Sequence, residues 1–163
     1  MNTKVLFVVL LLASLSGCRR SKAVQSLNSL RVIKVERQTL LTLGAKLPQA
    51  TSFCDWGEEI CLFKPGTFGG AKAMSLTRTK SGLISQFHFD YGVLSADAVQ
   101  AQVEDYTQRL GKPSKESTTK EGESVLREIE WSDSATSFRL FYRTDRAQVE
   151  ASASLIDKAL AAH

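Results

Sequence analysis

The sequence holds few of the side chains on which catalysis and metal binding usually depend. It has two histidines, His88 and His163, and three cysteines, and His163 is the last residue of the chain. A zinc site or a catalytic triad needs several such groups to converge. We therefore expect no catalytic residues, no bound metal and no cofactor. The alternative is a proton-transfer pair of His88 and Asp90, which share one face of a predicted strand.

A large excess of one charge sign is also missing. The chain has 21 Lys and Arg against 17 Asp and Glu, a formal net charge of +4, which is too small to indicate a nucleic-acid partner. Its charged fraction of 23% and its eight phenylalanines argue against intrinsic disorder. A length of 163 residues fits one ordinary domain.

The apolar run near the start is too short to span a membrane. Residues 5–13 carry no polar side chain, but they number only nine, whereas a spanning helix needs about 20 apolar residues. Lys4 precedes the run, and Leu15-Ser16-Gly17-Cys18 follows it. This order of charge, apolar stretch and small residues predicts a signal peptide. A buried N-terminal helix with a chance cysteine is the alternative.

Leu15-Ser16-Gly17-Cys18 resembles the lipobox of bacterial lipoproteins at every position. The resemblance implies cleavage between Gly17 and Cys18, and transfer of diacylglycerol and a further acyl chain such as palmitate to Cys18. It also implies that the protein is anchored in the cell envelope. Arg19 follows the cysteine, which in diderm bacteria usually means the outer membrane, with the protein facing the periplasm.

The signal peptide divides the chain into three parts. We expect a signal peptide over residues 1–17, a lipidated cysteine with a polar tether over 18–30, and a single domain over 31–163. The two remaining cysteines, Cys54 and Cys61, form an even set in an exported protein, which predicts a disulfide. A redox or metal role for the pair is the alternative.

The predicted disulfide closes a loop with acidic and aromatic side chains, and this loop is a candidate partner-binding site. It holds Trp56, Glu58 and Glu59, and an exposed Trp makes a good anchor for a partner. The alternative is that Trp56 folds back onto the domain.

The element with the clearest start and end signals in the sequence is a helix over about residues 95–110. Ser95 is a good N-cap, apolar residues recur at steps of three and four, and Gly111 and Pro113 end the helix. Before it, residues 74–80 and 83–91 predict two strands joined at Ser81-Gly82.

Three period-two segments after the helix predict an antiparallel meander with turns at Asp133-Ser134 and Thr144-Asp145. Centring the first turn on Asp133-Ser134 places Glu128 opposite Arg139 and Leu126 opposite Phe141. Clean alternation means that one sheet face is buried and the other is open. We therefore predict an α+β fold with the helix packed on one face of the sheet. Leu126 and Phe141 then form an apolar spot on the open face, a second candidate partner-binding site.

A helix followed by three antiparallel strands resembles small envelope lipoproteins of the SmpA/OmlA (BamE) type and the half-domains of beta-lactamase-inhibitor proteins. The residues that carry the resemblance are Leu110-Gly111-Lys112-Pro113 at the helix end and the strand that ends at Trp131. It covers about residues 95–156 and is a likeness of fold, from which no binding residues are carried over. A related hypothesis is that the first half is a degenerate copy of the same unit.

Three functions are compatible with these features. The first is a non-catalytic envelope module, anchored to the membrane by its lipid, that binds another envelope protein. The second is a small-ligand or inhibitor-type binding protein that uses the open sheet face. The third is a hydrolase or redox enzyme, for which the sequence offers the least support.

Overall fold

The protein has an α+β fold in which one helix packs on an antiparallel sheet, as the sequence predicts. The structure, a computed structural model, describes residues 24–35, 40–47, 60–63 and 68–161. Its elements are a 3-10 helix (Leu27–Arg31), β1 (Val32–Lys34), β2 (Leu40–Thr42), β3 (Ile60–Phe63), β4 (Ala73–Arg78), β5 (Ile84–Leu94), α1 (Ala96–Leu110), β6 (Lys115–Glu121), β7 (Ser124–Ser132), β8 (Thr136–Asp145), β9 (Gln148–Asp157) and α2 (Lys158–Ala161).

The described strands form one sheet of seven and one of two, and every pairing is antiparallel. The large sheet has the order β3-β4-β5-β9-β8-β7-β6. The predicted meander is β7-β8-β9, and its last strand inserts beside β5. Because α1 connects β5 to β6, which is the far edge strand, the helix crosses the sheet and covers one of its faces.

The helix forms where its local signals place it. The hydroxyl of Ser95 accepts a hydrogen bond from the Ala98 N–H at 3.2 Å, which satisfies a backbone donor that the first helical turn leaves free. Gly111 ends α1 at φ 84°, a backbone conformation that glycine adopts without a steric penalty. The Gly111 carbonyl accepts from the Trp131 indole at 2.8 Å, so the helix end is tied to β7.

An aromatic cluster holds α1 on the sheet. Tyr106 is 1% exposed, and its ring centroid lies 4.7 Å from that of Phe138 and 6.1 Å from that of Trp131. Phe68 stacks on Phe89 at 4.2 Å. Each large side chain buried in this way contributes about 1.5–3 kcal/mol to stability, so this face of the sheet is the core.

The last residues of the predicted tether pack on the domain. Leu27 and Leu30 are 8% and 5% exposed, and the Gln25 N–H donates to the Arg109 carbonyl at 2.7 Å. Next to them, Arg31 pairs with Asp157 in a largely buried ion pair and donates to the Thr136 hydroxyl at 2.9 Å. The N-terminal segment is thus fastened to the end of β9.

The predicted register between β7 and β8 is wrong by two residues. Glu130 is opposite Arg139, Glu128 is opposite Phe141, and Leu126 is opposite Arg143. Four residues, 133–136, separate the last paired residues Ser132 and Ser137, where the prediction has two. The Asp133 carboxylate holds this wider turn by accepting from the Ala135 and Thr136 N–H groups at 2.8 and 2.7 Å. A shift of two residues keeps every side chain on its predicted face.

Two further details of the sheet differ from the prediction. The turn between β8 and β9 lies at residues 146–147, since Asp145 is opposite Gln148, and Arg146 adopts φ 53° there. The sequence does not predict β6, because this strand is polar on both sides and lacks an alternating pattern. The hypothesis of two half-repeats stays a prediction, since much of the first half lies outside the described residues.

Candidate functional site

The candidate site is the sheet face opposite α1, which we call the open face. One cross-strand row on it joins His88, Ser154, Arg139 and Glu130 as successive partners on β5, β9, β8 and β7. The residues next to them in sequence, such as Phe87, Leu155 and Phe138, are 0% exposed and lie in the core. Period-two alternation therefore separates a filled face from a face without a covering layer among the described residues.

A shallow groove of about 730 Å³ runs along the open face. Leu126 and Phe141 line it, as do Asp90, Arg143 and Glu150. The structure therefore brings both predicted residues of the apolar spot together on one surface. They are diagonal neighbours and not direct partners, since Leu126 is opposite Arg143. Phe141 is only partly buried, so part of its ring is available to a ligand or a partner.

A β-bulge in β5 adds Val93 to this groove. Asp90 is opposite Ser152 and Gly92 is opposite Ala151, so Tyr91 is the extra residue on its strand. Gly92 adopts φ 67°, and its N–H donates to the Asp90 carboxylate at 2.7 Å. The extra residue reverses the alternation, and Val93, which would otherwise point into the core, lines the groove at 50% exposure.

Beyond the groove, the open face carries a cluster of hydrogen-bonded charges. Arg139 lies 3.7 Å from the Glu128 carboxylate and 3.5 Å from that of Glu130. The Ser137 hydroxyl donates to Glu130 at 2.7 Å and accepts from Arg139 at 3.1 Å. The glutamates and Arg139 therefore pair with one another and need no ligand. The groove beside them is the part of the open face where apolar side chains contact solvent.

His88 and Asp90, the alternative proton-transfer pair, each have another partner. The His88 Nδ1 lies 3.3 Å from the Ser154 hydroxyl, and the Asp90 carboxylate binds the Gly92 N–H. Both side chains are exposed. Asp90 thus stabilises the bulge, and it contributes to the shape of the groove.

Three tyrosines meet between α1 and the opposite side of the sheet: Tyr106 from the helix, Tyr91 from β5 and Tyr142 from β8. The Tyr91 and Tyr106 hydroxyls are 3.1 Å apart, and the Tyr142 hydroxyl donates to Gln102 at 3.0 Å. Burial is the main cause that raises the pKa of each of these phenols above its ordinary value. They remain neutral at physiological pH and serve as polar links within the core.

The other predicted site residues cannot be placed on this surface. Gly17 and Cys18, Cys54, and the loop residues Trp56, Glu58 and Glu59 lie outside the described residues. Cys61 lies in β3, where its backbone is opposite Leu76. The lipidation site, the disulfide and the acidic loop therefore stay predictions.

Val93, Arg143 and Glu150 are groove residues that the sequence analysis did not propose as site residues. The strand alternation alone would place Arg143 and Glu150 on the open face. For Val93 the available signal is Gly92, because a glycine within a strand often marks a bulge.

The described part of the chain holds neither a cluster of metal-ligating side chains nor a membrane-spanning helix. Among residues 24–35, 40–47, 60–63 and 68–161, no three side chains of His, Cys, Asp or Glu lie close enough to hold a metal ion. None of the helices there is long and apolar enough to cross a bilayer.

Comparison with known proteins gives no family model, no curated protein and no solved structure that matches this chain. The resemblance to envelope lipoproteins therefore stays a prediction, and the site has to be interpreted from its own geometry.

The two faces of β8 predict different responses to the same substitution. Phe138 is fully buried against Tyr106, so Phe138→Ala should lower the free energy of unfolding by about 3–5 kcal/mol. Phe141 is three residues away and partly exposed, so Phe141→Ala should cost only about 1 kcal/mol. Urea unfolding of both variants measures the difference, and equal losses would show that Phe141 is a core residue.

Proposed function

We propose that this chain is a non-catalytic, lipid-anchored protein of the bacterial cell envelope and that its open face binds another protein. The observation that carries the proposal is the groove around Phe141, on a sheet whose other face is already filled by α1. The lipobox-like motif that ends at Cys18 is the basis for placing the protein in the cell envelope. In a diderm host, Arg19 favours the outer membrane and a periplasmic orientation.

The composition of the groove favours a protein partner. Leu126, Phe141 and Val93 supply apolar surface. Arg143 and Glu150 lie opposite each other in the cross-strand row between Leu126 and Val93, and they add charges of both signs. Protein interfaces likewise combine apolar surface with polar and charged groups. Phenylalanine is among the aromatic residues that are enriched at protein interfaces, and the ring of Phe141 is partly exposed.

A small-ligand or inhibitor-type role is the second candidate. The groove volume of about 730 Å³ lies within the range of small-molecule pockets. Such pockets enclose most of their ligand, whereas this groove is shallow, and its lining residues come from four strands of one sheet. A small molecule would stay exposed on one side, which makes a larger partner the better fit.

The anchor predicts where the protein partitions. Cys18→Ser removes the thiol that receives the lipid, so the variant should leave the membrane fraction and appear in the soluble fraction. Two or three acyl chains bind a membrane stably, and the Cys18→Ser variant carries none of them. The release should therefore be nearly complete. Fractionation of the native host followed by immunoblotting measures it, with Ser16→Ala as the control that leaves Cys18 in place. Unchanged membrane partitioning of Cys18→Ser would contradict the anchor.

The partner can be captured through the open face. A photoreactive phenylalanine analogue at Phe141 should form a crosslink to a protein of the native host, identified by mass spectrometry. The same analogue at Gln100, an exposed residue on α1, is the matched control and should not capture that protein.

A second substitution tests whether the groove itself makes the contact. Leu126→Glu places a charge beside Phe141 and should abolish the crosslink at Phe141 while the protein level stays unchanged. If Phe141 yields no adduct beyond those seen at Gln100, the open face does not bind a protein.

A further inference from the structure

We propose that β6 pairs antiparallel with β6 of a second copy of this chain, which makes one continuous sheet across two molecules. β6 is the outer strand at one end of the seven-stranded sheet. Six of its seven residues are exposed, and Ser117 is partly so. No described strand occupies its outer side, so a row of backbone N–H and C=O groups is free to pair.

β6 lacks most of the features by which proteins protect an edge strand. It is seven residues long, contains neither proline nor glycine, and runs opposite β7 without a register shift from Lys115 to Glu121. Edge strands are usually short, bulged or interrupted by proline when they must not pair. The remaining protective feature is charge, and its arrangement in β6 does not repel a second β6.

The charge pattern of β6 complements itself under two-fold symmetry. Its sequence is Lys-Glu-Ser-Thr-Thr-Lys-Glu. When two copies lie antiparallel with Thr118 opposite Thr118, Lys115 is opposite Glu121 of the second copy, and Glu116 is opposite its Lys120. All the charged residues of the strand then meet the opposite sign, and such cross-strand pairs are stabilising. Glu116 is already held by Arg127 at 2.8 Å, which orients it on the strand.

Neighbouring registers lose this match. Centring on Glu116 or on Lys120 places a like charge opposite itself, which destabilises the pair. Centring on Ser117 brings Pro113 opposite Glu121, and proline cannot donate to a ladder. Centring on Thr119 runs into Gly122, where β6 has ended. The register on Thr118 is the one that pairs all seven residues of β6 with each other.

The proposed symmetry has a consequence for the open face. Residues that are directly opposite in an antiparallel pair point to the same side of the sheet. The two-fold axis is therefore perpendicular to the sheet, and the open faces of both copies lie on one side. This inference is independent of the proposed function, because β6 contributes no residue to the groove.

Thr118→Cys tests the register directly. Opposed residues in an antiparallel pair have Cα atoms about 4.5–5.5 Å apart, and a disulfide forms at Cα separations of about 4.4–6.8 Å. The full chain carrying Thr118→Cys, purified in detergent and oxidised with copper phenanthroline, should form a covalent dimer on a non-reducing gel. Ser134→Cys is the matched control, since Ser134 is exposed in the turn between β7 and β8. The unchanged chain controls for Cys18, Cys54 and Cys61.

Charge reversal tests the complementarity. In the Thr118→Cys background, Lys115→Glu or Glu121→Lys alone turns two symmetric attractions into repulsions and should weaken dimerisation about tenfold. The double variant, Lys115→Glu with Glu121→Lys, restores opposite charges and should recover the dimer.

Several results would overturn the proposal. One is a Thr118→Cys chain that dimerises no more than Ser134→Cys, which would mean that the charges keep β6 unpaired. Another is a crosslink of Thr118→Cys to a different protein when cell membranes are oxidised in place of the purified chain. A third is a double charge variant that dimerises as poorly as the single variants. A failed crosslink at Phe141 with a Thr118→Cys dimer present would reject the proposed function and leave this pairing intact.

Discussion

The structure depends on the packing of one helix against one face of the sheet. α1 crosses from β5 to the edge strand β6, and Tyr106 seats it on Phe138 and Trp131. A single helix can cover only one side. Most apolar residues of β5, β7, β8 and β9 therefore point to that side, and the alternate residues of the same strands form the open face. The site exists because nothing in the described part of the chain covers this second face.

The open face is not uniform, and its variation comes from local backbone and charge effects. Around Arg139, two glutamates and Ser137 satisfy one another, so this end is self-contained. At the other end, the bulge at Tyr91 turns Val93 outward into the groove that Leu126 and Phe141 also line. Since the charges around Arg139 already pair with one another, we expect a partner to bind at the groove. The same sheet ends at β6, whose Lys-Glu pairs at both ends complement a second copy, so two such surfaces can lie side by side.

The sequence predicts those parts of this fold that have local causes. Ser95 and Gly111 mark both ends of α1, and period-two alternation assigns Leu126 and Phe141 to the open face even though the register is wrong by two residues. The four-residue turn depends on how the Asp133 side chain folds back onto the backbone, which alternation does not encode. The insertion of β9 beside β5 joins residues 55 to 70 positions apart, and β6 is specified by its neighbour β7 and not by its own polarity. The groove itself was therefore only partly predictable, because Val93 reaches it through the bulge.

The central claim is that the open face is covered by a protein in the cell. The most direct measurement is the maleimide labelling of His88→Cys, on the open face, and of Gln100→Cys, on α1, in intact cells and in the purified full chain. Labelling at each site is quantified by peptide mass spectrometry, so that the native cysteines do not interfere. The account predicts that His88→Cys is labelled in the purified protein and protected in cells, while Gln100→Cys is labelled equally in both. Equal labelling of His88→Cys in cells and in the purified protein would contradict it.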